Sequence, residues 1–175
     1  MVPDPEGPSA SERAGCLVLL LPLAGLSALT LMSGHRGLAV FFGAPLLFAV
    51  GYWVYGRLLV FLFVMWRQSR GVRGVLVVSE SPVWKQHIEA VWLARVGGSL
   101  TTLNWSERRS WPRSLDVRLW RWFCGRYRKN YCPSAVVLRG LGRPLVFRFH
   151  GAFQLAKHGD DSQLRGVEEA FFRSL

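Results

Sequence analysis

Cysteine is scarce in this sequence, and its scarcity restricts the kinds of site that the protein can form. The 175 residues include three cysteines, Cys16, Cys124 and Cys132, which are too few and too scattered for a disulfide framework. No Cys-x-x-Cys pair occurs, and no Cys and His residues have the spacing of a zinc site. The pattern is typical of reduced thiols in the cytosol, and it predicts no metal and no cofactor.

The motifs of common nucleotide-binding and hydrolytic sites are missing as well. The chain has neither a Walker pattern nor a G-x-G-x-x-G sequence after a predicted strand. It also has no G-x-S-x-G sequence, in which a serine nucleophile would stand on a sharp turn. The sequence therefore indicates no particular reaction.

What the chain does have is a long apolar stretch, residues 16–66, interrupted once by a short polar segment at 33–37. Residues 16–32 carry no charge, and residues 38–55 carry none either. Runs of about 18 or more apolar residues are typical of membrane-spanning helices. The bilayer core contains no water that could hydrogen-bond to unpaired backbone groups, so the backbone must pair within the helix. The two runs therefore predict a transmembrane helical hairpin over 16–66.

Residues 1–15 precede this hairpin and differ from it in composition. They contain three prolines and three acids, which predicts a disordered tail. A secretory signal peptide would begin with basic residues and end at a cleavage site of small residues. The start here is acidic, and Ala28-Leu29-Thr30 is a poor cleavage site, so we expect an uncleaved first helix.

The second apolar run is longer than one span requires. A helix over 38–66 would be about 43 Å long, against a hydrocarbon core of about 30 Å. Either the helix tilts and Arg57 reaches a headgroup, or the span stops near Tyr55 and residues 58–66 lie in the membrane interface. The aromatic residues that end at Tyr55 favour the second interpretation.

The charges that flank the hairpin predict its orientation. Arg67, Arg70 and Arg73 follow the apolar stretch directly, whereas the hairpin loop contains only Arg36. The positive-inside rule then places the C-terminal domain in the cytoplasm, and an even number of spans places the N-terminus there too. We expect a multi-pass protein of the inner (plasma) membrane.

After a glycine-containing linker at 67–74, residues 75–175 have the pattern of an α/β domain. The predicted order is β-α-β-α-β-β-α, with strands at 75–78, 100–104, 135–138 and 145–149 and helices at about 83–95, 114–127 and 163–175. Ser81 is expected to cap the first of these helices, with Pro82 at its first position.

One local feature extends this pattern. Pro133 stands directly before the third predicted strand, and the turn of the following hairpin contains Gly140 and Gly142. Element order and proline together resemble the thioredoxin-like fold, and the resemblance implies a cis peptide bond before Pro133. The family's Cys-x-x-Cys pair would fall at 81–84, where this chain has Ser-Pro-Val-Trp. The resemblance thus implies a redox-inactive domain, with Cys132 as the single thiol near that site.

Polar side chains that follow the predicted strands are the candidates for catalysis. Glu80, Glu107 and His150 would lie beyond the carboxyl ends of strands, where open α/β sheets collect their sites. They could act as acid and base groups in an enzyme. The alternative is that they form caps, turns and ion pairs with the many arginines.

Residues 105–131 form the most unusual segment, with four tryptophans, eight basic residues and two acids. Its candidate binding residues are Trp105, Trp111, Arg118, Trp120, Arg121 and Arg128. Such side chains can stack on single-stranded nucleic acid, seat a helix at a bilayer surface, or belong to a core.

The charge of the whole domain decides between these partners. From residue 67 onward the chain has 19 basic and 8 acidic side chains. Next to a membrane anchor, such an excess favours anionic lipid over nucleic acid. We therefore expect a non-enzymatic, membrane-apposed module for anionic lipid or a protein partner, with an enzyme at the sheet edge as the alternative.

Overall fold

The computed structural model describes residues 22–124 and 132–175. The chain separates into two compact units, and the second of them, the domain, begins at Leu59. The predicted tail at 1–15, the start of the first predicted span and Arg128 lie outside the described residues.

The first unit contains two apolar helices joined by a tight turn. They are α1 (Pro22–Met32) and the start of α2 (Arg36–Trp66), a helix of 31 residues. Ser27 Oγ donates a hydrogen bond of 3.1 Å to the Ala39 carbonyl. The helices meet at small residues, since a side chain on Gly43 would approach Ser27 Oγ to 3.1 Å. Of the described helices, α2 has the length and apolar composition needed to cross a membrane.

The four strands predicted from the sequence are confirmed, each within one residue of its expected bounds. They are β1 (Gly74–Val78), β2 (Leu100–Asn104), β3 (Ser134–Val137) and β4 (Leu145–Arg148). They form one sheet in the order β2-β1-β3-β4. β1 and β2 are parallel, whereas β3 is antiparallel to both β1 and β4. The domain is therefore of the α/β class with a mixed sheet, as the sequence predicted.

The helices of the domain follow the predicted order, with one addition after β4. They are α3 (Pro82–His87), a π-helical segment (Ile88–Leu93), α4 (Ala94–Val96), α5 (Leu115–Phe123), α6 (His150–Lys157) and α7 (Ser162–Ser174). Short 3-10 helices lie at Gln68–Arg70 and Trp105–Glu107. Helix α6 was not predicted from the sequence, because His150-Gly151 has the pattern of a strand end followed by a loop.

The helix predicted at 83–95 is confirmed at its start and altered in its middle. Ser81 is the N-cap residue and Pro82 occupies the first helical position, as expected, but the Ser81 side chain forms no capping hydrogen bond. The Ser81 carbonyl instead accepts from N–H groups of the first turn. A π-helix has more residues per turn than an α-helix. Within this segment Leu93 is 39% exposed, whereas Trp92 is fully buried.

Both faces of the sheet are covered, and β1 divides its side chains between them. Leu76 belongs to one hydrophobic core, which contains residues of α3, the π-helical segment, α6 and α7. Val75 and Val77 belong to the other core, and all three side chains are fully buried. A strand buried on both faces has no polar side, which explains the continuous apolar run at 75–78.

The second core is closed by α5 together with the end of α2. Leu59, Val60 and Phe63 are 3%, 2% and 0% exposed and pack with side chains of β1 and β3. From the sequence we expected residues 58–66 to lie in the membrane interface after a span that stops near Tyr55. In the structure the helix continues without a break through this segment, and one side of the segment is part of the domain core.

Pro133 stands directly before β3. The peptide bond between Cys132 and Pro133 is cis, which confirms the prediction made from the sequence. The Pro133 carbonyl accepts a hydrogen bond from the Phe149 N–H at 3.0 Å. This residue therefore joins the start of β3 to the end of β4.

Candidate membrane-facing surface

The helix α5 divides the basic aromatic segment into a buried and an exposed side. Ser114 Oγ caps the helix and accepts a hydrogen bond from the Val117 N–H at 3.4 Å. Trp120 points into the second core, whereas Arg118 and Arg121 are exposed. Helical spacing thus separates residues that the sequence analysis had grouped together as binding residues.

Exposed arginines are concentrated in residues 105–123, a range that the structure describes completely. They are Arg108, Arg109, Arg113, Arg118 and Arg121, which we name the arginine segment. The same range contains two acids, of which Glu107 is exposed and Asp116 is 7% exposed. At the surface, five positive charges therefore accompany one negative charge.

Asp116 is held inward by Arg67, the residue that follows α2. Arg67 Nε and Nη2 donate to the two carboxylate oxygens at 3.0 and 3.1 Å. Nη2 also donates to Thr101 Oγ1 at 2.9 Å, and the Thr101 hydroxyl donates to Asp116 Oδ1 at 3.2 Å. A two-point arginine–carboxylate pair is stronger and more directional than a single hydrogen bond. It connects the end of α2 with β2 and α5.

Three tryptophans of the segment pack against one another edge to face. The ring centroids of Trp105, Trp111 and Trp120 are between 5.5 and 6.0 Å apart. Trp120 Nε1 donates to Ser134 Oγ at 3.0 Å, and Trp111 Nε1 donates to the Asn104 carbonyl at 2.8 Å. Trp120 is 5% exposed, so it is a core residue that cannot contact a partner. Trp105 and Trp111 are partly exposed.

The candidate acid and base residues Glu80, Glu107 and His150 follow strands that end at the same edge of the sheet. β1 and β4 are separated by β3, so their backbones are about 10 Å apart at about 4.8 Å per strand. Glu80 accepts a hydrogen bond from Asn104 Nδ2 at 3.0 Å, which links the ends of β1 and β2. No hydrogen bond or ion pair joins two of these three described side chains.

The domain has an open cleft of about 420 Å³, and its lining includes none of these three residues. It is lined by Arg95, Arg165, Glu168, Glu169, Phe172 and Arg173. Glu168 Oε1 accepts from Trp92 Nε1 at 2.6 Å and lies 2.6 Å from His87 Nε2. No sequence pattern predicted this cleft, because its residues come from the separate helices α4 and α7.

The two described cysteines are buried in the second core. Burial raises the pKa of the Cys124 thiol and of the Cys132 thiol to about 12. Cys132 Sγ donates to the Val77 carbonyl at 3.6 Å. Because the thiolate is the nucleophile, both groups are in their unreactive form at neutral pH.

Comparison with protein-family models, with curated proteins and with solved structures finds no match to this chain. Within residues 22–124 and 132–175, no three His, Cys, Asp or Glu side chains gather as a metal site. The function of the protein therefore has to be inferred from its own residues, among which the arginine segment is the most unusual.

Proposed function

We propose that this chain is a multi-pass protein of the inner or plasma membrane, with a domain that binds anionic lipid headgroups and is not an enzyme. In this proposal residues 16–66 form a transmembrane hairpin, and both termini face the cytoplasm. The domain has a thioredoxin-like fold without the redox pair and acts as a membrane-apposed module. The observation that carries the proposal is the excess of exposed arginines over exposed acids at 105–123.

The apolar side chains of α2 support the membrane anchor. Phe41, Leu47 and Phe48 are 70%, 74% and 77% exposed, and soluble proteins rarely leave large apolar groups together in water. The meeting of α1 and α2 at small residues is also typical of membrane helices. The described part of α1 is shorter than the about 20 residues of a span. The apolar residues before Pro22 would supply the rest.

The proposed thioredoxin-like fold rests on element order and on the place of Pro133 before β3. The order β-α-β-α-β-β-α is present, with α6 as an insertion before the last helix. The family's redox pair is absent at 81–84. Since the raised pKa of the Cys132 thiol also keeps that group protonated, a binding role is favoured over thiol exchange.

Anionic lipid fits the arginine segment better than nucleic acid does. Stacking on bases requires free aromatic faces, but Trp120 is buried and the Arg108 guanidinium lies 5.0 Å from the Trp105 ring. Arginine beside tryptophan is typical of headgroup depth. Each arginine near an anionic surface contributes on the order of 1 kcal/mol.

The test uses the full chain in lipid nanodiscs, because Leu59, Val60 and Phe63 at the end of α2 belong to the domain core and cannot be removed. A fluorophore on Ser110→Cys, in a Cys16→Ser background, reports energy transfer to a labelled headgroup. We expect stronger transfer with anionic than with neutral lipid. The difference should vanish in 1 M salt, where charges are screened within about 3 Å. Arg118→Gln with Arg121→Gln should weaken docking by about 2 kcal/mol, roughly thirtyfold.

The matched control is Arg165→Gln with Arg173→Gln. These two side chains of α7 are 81% and 70% exposed but lie outside the arginine segment, so their replacement should leave the transfer unchanged. Transfer that ignores both the lipid charge and the Arg118 and Arg121 substitutions would contradict the proposal. The arginines would then be a solvated face or a surface for a protein partner.

A further inference from the structure

The end of α2 has a second apolar side, which faces away from the domain core. Phe61, Leu62, Met65 and Trp66 are 46%, 43%, 62% and 62% exposed, and we name them the outer ridge. Leu59, Val60 and Phe63 of the same turns, which pack on the sheet, are at most 3% exposed. A helix on the surface of a water-soluble domain has polar residues on its outer side. The outer ridge has none.

The length of α2 is sufficient for the outer ridge to lie at the depth of lipid headgroups, if α2 crosses the membrane as proposed. Its 31 residues make a helix about 46 Å long at 1.5 Å per residue. A bilayer that includes both headgroup layers is about 40–45 Å thick. A helix of this length is therefore long enough for its last turns to lie among the headgroups.

The last residue of the outer ridge has a partner that suits a membrane surface. The Arg70 guanidinium lies 5.4 Å from the Trp66 ring, which is a cation–π contact. Tryptophan is enriched where headgroups meet acyl chains, and a long basic side chain there extends to the phosphates. Residues 58–66 contain no charged side chain, so charge begins again only at Arg67.

We propose that the outer ridge lies against the bilayer, so that residues 59–66 contact the sheet on one side and lipid on the other. The inference rests on the proposed function, since it requires α2 to span the membrane. The domain is then seated on the bilayer by one of its own core helices. This seating is separate from the charge attraction of the arginine segment.

The test places spin labels on Leu62→Cys and Met65→Cys in the full chain, with Cys16→Ser, reconstituted in bilayers. Collision with oxygen, which concentrates in lipid, is compared with collision with a water-soluble nickel chelate. We expect oxygen to reach both ridge labels, and the chelate to reach them less than it reaches the label at Gln154 but more than it reaches the label at Leu47. Gln154→Cys, exposed on α6, is the aqueous control. Leu47→Cys, at a position 74% exposed on α2, is the membrane control.

Each other outcome has a distinct meaning. If the chelate reaches the ridge labels as readily as it reaches the label at Gln154, the outer ridge is in water and the inference is overturned. Low access of both reagents would overturn it too, because a second copy or another protein would then cover the ridge. If the chelate also reaches the label at Leu47, the proposed membrane anchor itself fails. If the chelate reaches the ridge labels as readily as the label at Gln154 but not the label at Leu47, the inference about the ridge fails and the proposed membrane anchor stands.

Discussion

Arg67 and Asp116 form a two-point ion pair, with Nε 3.0 Å from Oδ1 and Nη2 3.1 Å from Oδ2. The pair joins the residue after α2 to α5 and, through Thr101, to β2. It also keeps the Asp116 carboxylate buried. At the surface, the negative charge of this group would partly neutralise the positive charge of the arginine segment. The same pair therefore adds a polar contact to the core packing of the end of α2 and leaves one exposed acid beside the five exposed arginines of that segment.

Asp116→Asn should destabilise the domain by about 2 kcal/mol. Removing one partner of a fully buried pair costs about 3–5 kcal/mol, and the 26% exposure of the Arg67 side chain reduces that loss. Thermal unfolding of the full chain in detergent, followed by near-UV circular dichroism, measures the effect. Asp161→Asn is the control, since its pair with Arg165 is exposed and should contribute less than about 0.5 kcal/mol. Equal losses of stability in Asp116→Asn and Asp161→Asn would contradict the ion pair between Arg67 and Asp116.

Gly74→Ala should disrupt the contact between β1 and β3 and cost about 3 kcal/mol or more. A Cβ at this position would clash with the Val136 carbonyl oxygen, and this backbone atom cannot move away as a flexible side chain could. The yield of folded protein and its circular dichroism report the loss. Gly151→Ala in α6 is the control, because a Cβ there meets nothing within 4 Å and alanine favours a helix by about 1 kcal/mol. If both variants are equally stable, the register of β1 and β3 is wrong.

Cys124 and Cys132 should resist alkylation in the folded protein at pH 8 and react after unfolding. Burial raises the pKa of each thiol to about 12, so the thiolate is scarce in the folded state. Mass spectrometry after iodoacetamide treatment, with and without denaturant, measures the difference. Rapid modification of either thiol in the folded protein would contradict its burial.

The same pKa shifts should make the protein less stable as the pH rises above about 9. An unfolded thiol releases its proton near pH 8.5, whereas the folded thiol keeps it up to about 12. The unfolded state therefore binds fewer protons in this window, and stability falls by up to about 1.4 kcal/mol per pH unit for each thiol. Below about pH 8 the thiols are protonated in both states, so their contribution to the free energy of unfolding is fully present. Cys132→Ala should have a shallower fall in denaturant unfolding between pH 9 and 11, and an unchanged slope would contradict this expectation.

Glu168→Ala should cost about 2 kcal/mol, whereas Glu169→Ala should cost almost nothing. The Glu168 carboxylate accepts from Trp92 Nε1 at 2.6 Å, and Trp92 is fully buried. A buried donor that loses its acceptor costs about 1–3 kcal/mol. Glu169 is 67% exposed and pairs with Arg173 at the surface. Denaturant unfolding of the two variants distinguishes them, and similar midpoints would show that the Trp92 contact contributes little.

Local sequence patterns were enough to predict the strands. A short run of β-branched apolar residues such as 75–78 is typical of a strand buried on both faces, and each strand was found within one residue of its expected position. The position of Pro133 before β3 was also visible in the sequence. These features depend on neighbouring residues, which is the information that a single sequence contains.

The environment of individual side chains could not be predicted in the same way. Composition does not distinguish a core tryptophan from an interfacial one, so Trp120 was grouped with the binding residues until its position on α5 showed it to be buried. In α2 the core side and the outer ridge are both apolar, and no periodicity separates Phe63 from Phe61. The ion pair of Asp116 was not predicted either, because its partner Arg67 is 49 residues away.

The most direct test of the central claim is thiol labelling from the two sides of the membrane. Ser33→Cys, in the exposed turn between α1 and α2, and Gln154→Cys, exposed on α6, are each placed in a Cys16→Ser background. Intact spheroplasts are treated with a membrane-impermeant maleimide. We predict that Ser33→Cys is labelled in intact spheroplasts, and that Gln154→Cys is labelled only after permeabilisation. Labelling of Gln154→Cys in intact spheroplasts would contradict a membrane-anchored domain on the cytoplasmic side.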